Sequence, residues 1–324
     1  MGILQKMKAY IVGERPELLP YLYMIQRRSL KPLWEWDHDK FISGVMSCYE
    51  RHMGYSFDIN NPITFNEKLQ WYKIFYHRDD FAQITDKVLF KNYVKENFGD
   101  GSLKTVKMYG YWEDIESMQR DWDKLPQRFV LKSNLMANSM GVMIIKDKNA
   151  IDFKKLRRKL KHWLNPLVTL RNSWDWHFYN SSPKILAEEF LQDQYGELRD
   201  YKFFCFDGYV PCFRVDYGRA EQHHATFFDS NYNELDISVP GFTKDENVNI
   251  DLPDNIKEMY AWAEKLSKGF PFIRVDFFSC HGEFYLSELT FAPGGGVTHY
   301  PKEYDIEWGK YFTLPNNSKG KCSL

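Results

Sequence analysis

The chain has 324 residues, of which 44% are hydrophobic and 17% aromatic, enough for one large domain or two lobes with a substantial core. Its formal net charge of −1 predicts no nucleic-acid partner. The cysteines are odd in number and include no CxxC pair, so we interpret them as reduced thiols and expect neither a disulfide framework nor a zinc site.

The chain carries no apolar run near the ~18 residues of a membrane span, and charged side chains interrupt the N-terminus where a signal peptide needs an apolar stretch. We therefore expect a cytoplasmic protein. The apolar segment 18–25 is followed by Arg27 and Arg28, which is compatible with peripheral contact at the inner face of the membrane. Such a pattern more often marks a helix that packs on the protein core.

The predicted elements change character along the chain. Residues 1–80 have a mainly helical, aromatic-rich pattern, and residues 64–67, TFNE, have the form of a helix capping box. From residue 81 the pattern is mixed, with helices predicted over 86–97, 152–163 and from Pro253-Asp254 to Lys268, and strands over 129–131, 141–145, 185–191, 201–206, 272–278 and 284–291. Helix 152–163 has a basic face, typical of a solvated surface and also suited to an anionic polymer or lipid.

The hairpin predicted over 272–291 is the most informative segment. Alternation along a strand places Arg274 and Asp276 on one face, and likewise Glu288 and Thr290. A loop of odd length centred near Gly282 would set Asp276 almost opposite Glu288, and carboxylates opposed at roughly 5 Å repel each other. A cation is therefore expected between them, and Mg²⁺ that also holds phosphate oxygens fits, because it takes only one or two protein carboxylates.

Four further groups suit nucleotide chemistry. The glycines 294–296 offer backbone N–H groups to a bound anion. Lys132 and Lys146 end two strands that frame a small polar loop, which would suit a lid over phosphates, although lysines at strand ends mostly just reach solvent. Glu188 and Glu189 end an apolar strand that can meet a purine edge. Asp200 and Lys202 share a strand face, either as an exposed ion pair or as ligands of a ribose hydroxyl and a phosphate.

Taken in this order, these groups resemble the ATP-grasp superfamily and, more narrowly, the TupA-like (teichuronopeptide-biosynthesis) ATP-grasp family of bacterial surface-polysaccharide gene clusters. The resemblance runs from about residue 50 to 312. The segments that carry it are NPITFNEKLQWYK (61–73), TDKVLFKNYV (85–94), FVLK (129–132), ILAEEFL (185–191), DYKFFCFDG (200–208), AEKLSKGFPFIRVDFF (263–278) and SELTFAPGGG (287–296).

The resemblance implies an α+β ATP-grasp fold in which two α+β lobes clamp a nucleotide. The implied domains are a mainly helical N-terminal region (1–80), a first lobe with the lid hairpin (81–190), a second lobe with the metal site (191–312) and a polar tail (313–324). The lid departs from the family pattern, because Leu135, Met136 and Met140 occupy a loop that is usually richer in glycine.

The resemblance also implies roles for individual residues. Asp276, Glu288 and Thr290 match metal ligands, Thr290 standing where asparagine is common. Arg274 and Lys202 match groups that spread charge on the transferring phosphoryl group, and Gly294 and Gly295 match the loop that stabilises the acyl intermediate. The implied nucleotide contacts are Lys87 (with Lys91 close by), Lys132, Ser139, Gly141, Lys146, Glu188, Glu189, the Leu191 backbone, Asp200 and Lys202.

The function implied by the resemblance is an ATP-dependent, amide-forming carboxylate–amine ligase that uses ATP and Mg²⁺ and works through an acyl phosphate. The acceptor would be an anionic sugar, a uronic-acid polymer or its precursor, and the donor an amino acid or amine. Three alternatives stay open: an ATP-grasp phosphotransferase, a glycosyltransferase of a polysaccharide cluster, and a non-catalytic nucleotide-binding protein. A glycosyltransferase would use a DxD pair, of which Asp121-Trp122-Asp123 is the nearest form.

Overall fold

The computed structural model describes residues 38–99, 101–136, 141–165, 181–219 and 221–315, together with Ile11 and Leu18. Apart from Leu18, the segment predicted to contact a membrane lies outside them, and no helix within them is long and apolar enough to cross a bilayer. The elements are α1 (His38–Met53), α2 (Phe65–Phe75), α3 (Phe81–Thr85), α4 (Leu89–Phe98), β1 (Met108–Trp112), α5 (Ile115–Asp121), β2 (Phe129–Ser133), β3 (Val142–Ile145), α6 (Phe153–Trp163), β4 (Ile185–Glu189), β5 (Asp200–Phe206), β6 (Tyr209–Tyr217), β7 (His224–Asp229), β8 (Glu234–Leu235), α7 (Ile256–Ser267), β9 (Ile273–Cys280), β10 (Glu283–Thr290) and α8 (Lys302–Tyr311).

The chain divides into two compact units. The first comprises the described residues within 1–41, 80–93 and 106–190, and the second those within 42–79, 94–105 and 191–324. This division differs from the predicted one, because residues 42–79 group with the second unit. Packing explains the difference: the ring of Phe65 in α2 lies 4.8 Å from that of Phe272 and 5.9 Å from that of Trp308, centroid to centroid.

The first unit is built on a four-stranded antiparallel sheet in the order β1-β4-β2-β3. The amphipathic helix predicted over 152–163 is present as α6, and its Leu156, Leu160 and Trp163 are buried with strand residues such as Phe129 in one core. Asp152 precedes the helix and accepts hydrogen bonds from two backbone N–H groups of its first turn. The apolar stripe of α6 is thus the surface by which this helix packs on the sheet.

The second unit is built on a six-stranded antiparallel sheet in the order β10-β9-β5-β6-β7-β8. Side chains alternate between the two faces of this sheet. Phe203, Phe213 and Phe277 lie on the face where α7 packs against β5, β6 and β9. Lys202 and Asp276 lie on the opposite face and are buried there. That face is polar across its middle because charged side chains occupy paired positions on neighbouring strands.

The hairpin of β9 and β10 reaches the predicted register by an unpredicted route. Its connection is a two-residue turn, His281-Gly282, with positive φ at both residues, so the predicted odd-length loop is wrong. A bulge between Leu286 and Glu288 then shifts the pairing by one residue and sets Glu288 directly opposite Asp276. Without this bulge Ser287 would occupy that position.

Caps define the helix starts. The capping box predicted at the start of α2 is present: the Thr64 hydroxyl accepts from the Glu67 N–H at 3.3 Å, and the Glu67 carboxylate accepts from the Thr64 N–H at 3.1 Å. The helix predicted to start at Pro253-Asp254 begins later, at Ile256, with Asn255 at the N-cap position.

Replacing Gly309 with alanine is expected to destabilise the second unit by about 2–3 kcal/mol. A Cβ at this position in α8 would lie 2.3 Å from the backbone oxygen of Ile63 and 3.0 Å from the carbonyl carbon of Thr64, and backbone atoms cannot rotate away. Urea unfolding would measure the effect. Lys310→Ala, at the next and exposed position, is the control, and an equal shift in both variants would contradict close packing as the cause.

Candidate active site

A buried carboxylate between two lysines marks the sheet face of the first unit. Glu188 accepts from Lys132 at 2.6 Å and from Lys91 at 2.7 Å. Burial by itself would raise the pKa of Glu188, but the two ammonium groups outweigh it and lower the pKa to about 2. The carboxylate therefore stays charged and holds two positive side chains at fixed positions on β2 and α4.

Replacing Glu188 with glutamine is expected to remove an acid-sensitive contribution to stability. Because the folded-state pKa lies below its ordinary value of 4.5, the contribution is complete above pH 4.5 and is lost as the pH falls towards 2. A shift of this size corresponds to about 3 kcal/mol. Urea unfolding between pH 7 and pH 3 should show a flatter pH dependence in Glu188→Gln. The neighbouring Glu189→Gln is the stability control, and equal slopes in wild type and Glu188→Gln would contradict the prediction.

A second buried cluster ties together the elements that carry these lysines. Asp86 accepts from the Val88 N–H at the start of α4 and from the Asn134 side chain at 2.7 Å. Asn134, just after β2, accepts from the backbone N–H of Lys184 at 2.7 Å. The helix carrying Lys91 and the strand carrying Lys132 are thereby linked at their ends, through an asparagine that sequence reasoning passed over.

The other residues of the first unit that were predicted to contact the nucleotide lie at separate positions. The Nζ of Lys87 lies 3.5 Å from the Met136 carbonyl oxygen, and the ion pair with Glu188 is made by Lys91. Lys146 is exposed just after β3. Gly141 has room for no side chain, because a Cβ would lie 2.6 Å from that of Met136. Ser139 lies outside the described residues.

Two further residues predicted to contact the nucleotide, Glu189 and Leu191, lie at the end of β4 and two residues beyond it. The backbone N–H of Glu189 donates to the Lys107 carbonyl at 2.9 Å, so this peptide group is engaged with the chain preceding β1. Leu191 begins the stretch of the second unit that leads into β5. The purine contacts assigned to both residues remain predictions.

In the second unit, the hairpin residues meet on one sheet face. Asp276 lies opposite Glu288 on one side and opposite Lys202 on the other. Arg274 donates to both oxygens of Asp276 at 2.6 and 2.7 Å, and to Glu288 and Thr290 at 3.2 Å each. Burial disfavours the charged guanidinium, yet the carboxylates outweigh it and raise the pKa of Arg274. The cation expected between the opposed carboxylates is, in this structure, the Arg274 side chain.

The charges continue across the sheet beyond the predicted residues. Lys202 donates to Asp276 at 2.7 Å and also to Asp200, which lies directly opposite Asp216. Arg219 bridges these two aspartates at 2.9 Å each. A row of alternating sign therefore crosses the sheet, and its members in order are Glu288, Arg274, Asp276, Lys202, Asp200, Arg219, Asp216 and Arg214.

Sequence reasoning missed three members of this row: Arg214, Asp216 and Arg219. A signal was present, because residues 214–216 repeat the Arg-Val-Asp tripeptide of 274–276. Burial would raise the pKa of Asp216, but Arg214 and the other cations hold it well below its usual range. Asp216 thus stays ionised in a buried setting, whereas burial is the largest influence on Asp276 and raises its pKa despite the nearby Arg274 and Lys202.

The glycine loop follows β10. Gly294, Gly295 and Gly296 all have left-handed backbone angles, with φ of 61°, 66° and 67°. Their conformation is fixed from one side, because the buried Lys73 donates to the Gly295 carbonyl and Gln70 donates to the carbonyls of Gly295 and Gly296. Neither α2 side chain was identified from the sequence.

The residues beside Arg274 fit a magnesium ion by the chemistry of their donors. Asp276, Glu288 and Thr290 supply only oxygen, and Mg²⁺ takes one or two carboxylates with the remaining positions filled by phosphate and water. Within the described ranges no group of three or more His, Cys, Asp or Glu is arranged to hold a metal, so a cage made by protein alone is not present there. This is a partial oxygen set, of the kind that binds Mg²⁺ together with a nucleotide.

A family model described as TupA-like ATP-grasp matches residues 67–313. The chain belongs to the TupA-like ATP-grasp family. The match spans well over half of the chain and includes Lys132, Lys202, Asp276, Glu288 and the glycine loop. The predicted family and the predicted α+β ATP-grasp fold are confirmed.

Solved structures similar to this TupA-like chain include ligases. D-alanine–D-alanine ligase from Helicobacter pylori is 18% identical, with 77% of this chain and 68% of that chain covered and a TM-score of 0.43. The ATP-grasp ligase PsnB, complexed with a precursor variant, Mg and ADP, is 14% identical, with 65% and 50% covered and a TM-score of 0.37. The chain thus spans about half the length of PsnB. No curated protein sequence matches it.

Proposed function

We propose that the protein is an ATP-dependent carboxylate–amine ligase that forms an amide bond and releases ADP and phosphate. The observation that carries the proposal is the cluster of Arg274, Asp276, Glu288 and Lys202 on one face of the second sheet, in a chain of this family. Lys202 lies directly opposite Asp276, and Arg274 contacts Asp276 from the same strand; burying these three charges is expensive as a purely structural device. They are well suited to a reaction in which negative charge moves between phosphate oxygens.

The proposed reaction has two steps. A carboxylate oxygen of the acceptor attacks the γ-phosphorus of ATP, the bond to the β,γ-bridging oxygen breaks, and an acyl phosphate and ADP form. The nitrogen of an amine then attacks the acyl carbon, the bond to the phosphate oxygen breaks, and the amide forms as the nitrogen loses a proton. The protein contributes by positioning the partners and by neutralising charge.

Each cluster has a role in this proposal. Arg274 and Lys202 spread the negative charge of the transferring phosphoryl group, and their orientation is set by Asp276 and Asp200. Asp276, Glu288 and Thr290 would hold Mg²⁺, which supplies further charge neutralisation when bound. Lys132 and Lys91, held by Glu188, supply positive charge for the phosphates of ATP. The glycine loop receives the acyl phosphate.

We further propose that the acceptor is an anionic sugar, a uronic-acid polymer or its precursor, and that the donor is an amino acid or amine. The role would belong to the biosynthesis of a bacterial surface polysaccharide, carried out in the cytoplasm with a peripheral contact at the membrane. The support for this context is the TupA-like family itself. A phosphotransferase on the same fold would instead yield a phosphorylated product and no free phosphate.

Calorimetry of Mg–ATP binding tests the proposal first. We expect binding in the micromolar range that depends on Mg²⁺, and weaker binding in Glu288→Gln. Incubation with uronic-acid oligomers and an amine should then release ADP and free phosphate in equal amounts. Binding of a nucleotide sugar without binding of ATP would contradict the proposal and favour a glycosyltransferase.

A further inference from the structure

Helix α2 carries three polar side chains on one face, at spacings of four and three residues: Asn66, Gln70 and Lys73. All three are buried, and all three bind the segment that follows β10. Asn66 donates to the carbonyl oxygen of Thr298 at 2.9 Å, and Gln70 donates to that of Gly296 at 2.6 Å. A single helix face therefore holds the glycine loop and the chain that leaves it.

Lys73 is the unusual member of this face. Its residue is 1% exposed, and its ammonium group donates to the Gly295 carbonyl at 2.8 Å. Burying an ammonium group is expensive, and methionine or leucine at this position would fill a core helix face at far lower cost. An apolar residue would not supply the positive charge that Lys73 places on the α2 side of the glycine loop.

The loop is shaped around these contacts. A Cβ on Gly296 would lie 2.3 Å from the Gln70 amide nitrogen, and a Cβ on Gly294 would lie 2.2 Å from the Thr298 hydroxyl. Because a trans peptide points its C=O and N–H in opposite directions, turning the Gly295 carbonyl towards Lys73 turns the Gly296 N–H away from α2, while the Val297 N–H donates within the loop to the Gly294 carbonyl at 3.4 Å. The loop surface remote from α2 is therefore the one suited to an anion.

We propose that Lys73 is a positioning residue for the glycine loop: it orients the Gly295 carbonyl, and its charge favours an anionic acyl phosphate on the opposite side. This inference rests on the proposed ligase function and adds to it a residue 222 positions away from the loop in sequence. A charge-assisted hydrogen bond to a carbonyl also polarises the attached peptide group, which strengthens its N–H as a donor.

The test compares two lysines of α2. Lys68 also donates to backbone carbonyls, those of Gly309 and Phe312 at the end of α8, and does not touch the glycine loop in the hydrogen bonds described. In Lys73→Met we expect kcat for ADP release to fall by about 10²-fold, with the Kd for Mg–ATP changed less than about three-fold. Lys73→Gln, which keeps an N–H donor without the charge, should lie between wild type and Lys73→Met. Lys68→Met should lower the unfolding midpoint and leave kcat within about three-fold.

A second measurement does not depend on activity. Hydrogen exchange of the peptide covering residues 290–300 should speed up in Lys73→Met and stay unchanged in Lys68→Met, while peptides of α7 keep their wild-type rates. Unchanged exchange in Lys73→Met, or an equal loss of kcat in both methionine variants, would overturn the inference. Absence of ADP release by the wild type would instead defeat the proposed function, and the exchange result would still decide whether Lys73 holds the loop.

Discussion

Replacing Glu288 with glutamine is expected to lower ADP-forming turnover by about 10²-fold or more, with little change in stability. Glu288 lies opposite Asp276, so it is placed to complete an oxygen set for Mg²⁺, yet its side chain is 38% exposed and accepts hydrogen bonds from Arg274 and Thr290. Loss of its charge should therefore affect metal and phosphate binding far more than folding. Coupled measurement of ADP release as a function of Mg²⁺ concentration would show both the fall in kcat and a higher Mg²⁺ requirement.

The control for this variant is Glu283→Gln, the same substitution on the same strand. Glu283 is exposed and pairs with Lys104, away from the charged row. It should retain wild-type turnover and Mg²⁺ dependence. Wild-type kinetics in Glu288→Gln would contradict a magnesium site at this hairpin, and the proposed charge neutralisation would then rest on Arg274 and Lys202 alone.

Replacing Lys202 with methionine is expected to destabilise the second unit by about 3–5 kcal/mol. Lys202 is 4% exposed and donates to both Asp200 and Asp276, so its removal leaves two buried carboxylates facing a thioether. Urea unfolding at pH 7 would measure the loss. Turnover should also fall sharply, because Lys202 is one of the two cations proposed to neutralise the phosphoryl group.

A double-mutant cycle separates this electrostatic effect from loss of packing. Removing one partner of a buried ion pair leaves an uncompensated charge, whereas removing both does not. The double variant Lys202→Met with Asp276→Asn should therefore lose less stability than the two single variants together. Lys257→Met on the exposed face of α7 is the control for the substitution itself, and strict additivity of the two single effects would contradict the ion-pair account.

The elements that depend on residues close together in the sequence were predicted correctly. The capping box of α2 and the amphipathic α6 follow from contacts within one helical turn or from a repeated apolar stripe, and both are present. The strands of the β9–β10 hairpin were also predicted within two residues at each end. The order of these motifs was sufficient to predict the family, because the family pattern is itself a spacing of chemical groups along the chain.

Other features could not be predicted because they depend on contacts between distant segments. Sequence spacing cannot tell whether Lys87 or Lys91 meets Glu188, since the choice depends on how α4 lies against the sheet. The same holds for Lys73, whose partner Gly295 comes from the far end of the chain. The grouping of residues 42–79 with the second unit has a related reason, because the aromatic ring of Phe65 in α2 packs on Phe272 and Trp308, far along the chain.

The sequence by itself determined which chemical groups this protein has and on which strand faces they lie, because side-chain alternation is a local property of β-strands. It thereby placed Arg274 with Asp276 and Asp200 with Lys202. The sequence also predicted that Glu288 lies opposite Asp276, but only the tertiary structure decided how this pairing arises, because it depends on the two-residue turn and the later bulge together. It also decided that Arg274 lies between the two carboxylates, since strand register and burial bring those side chains together.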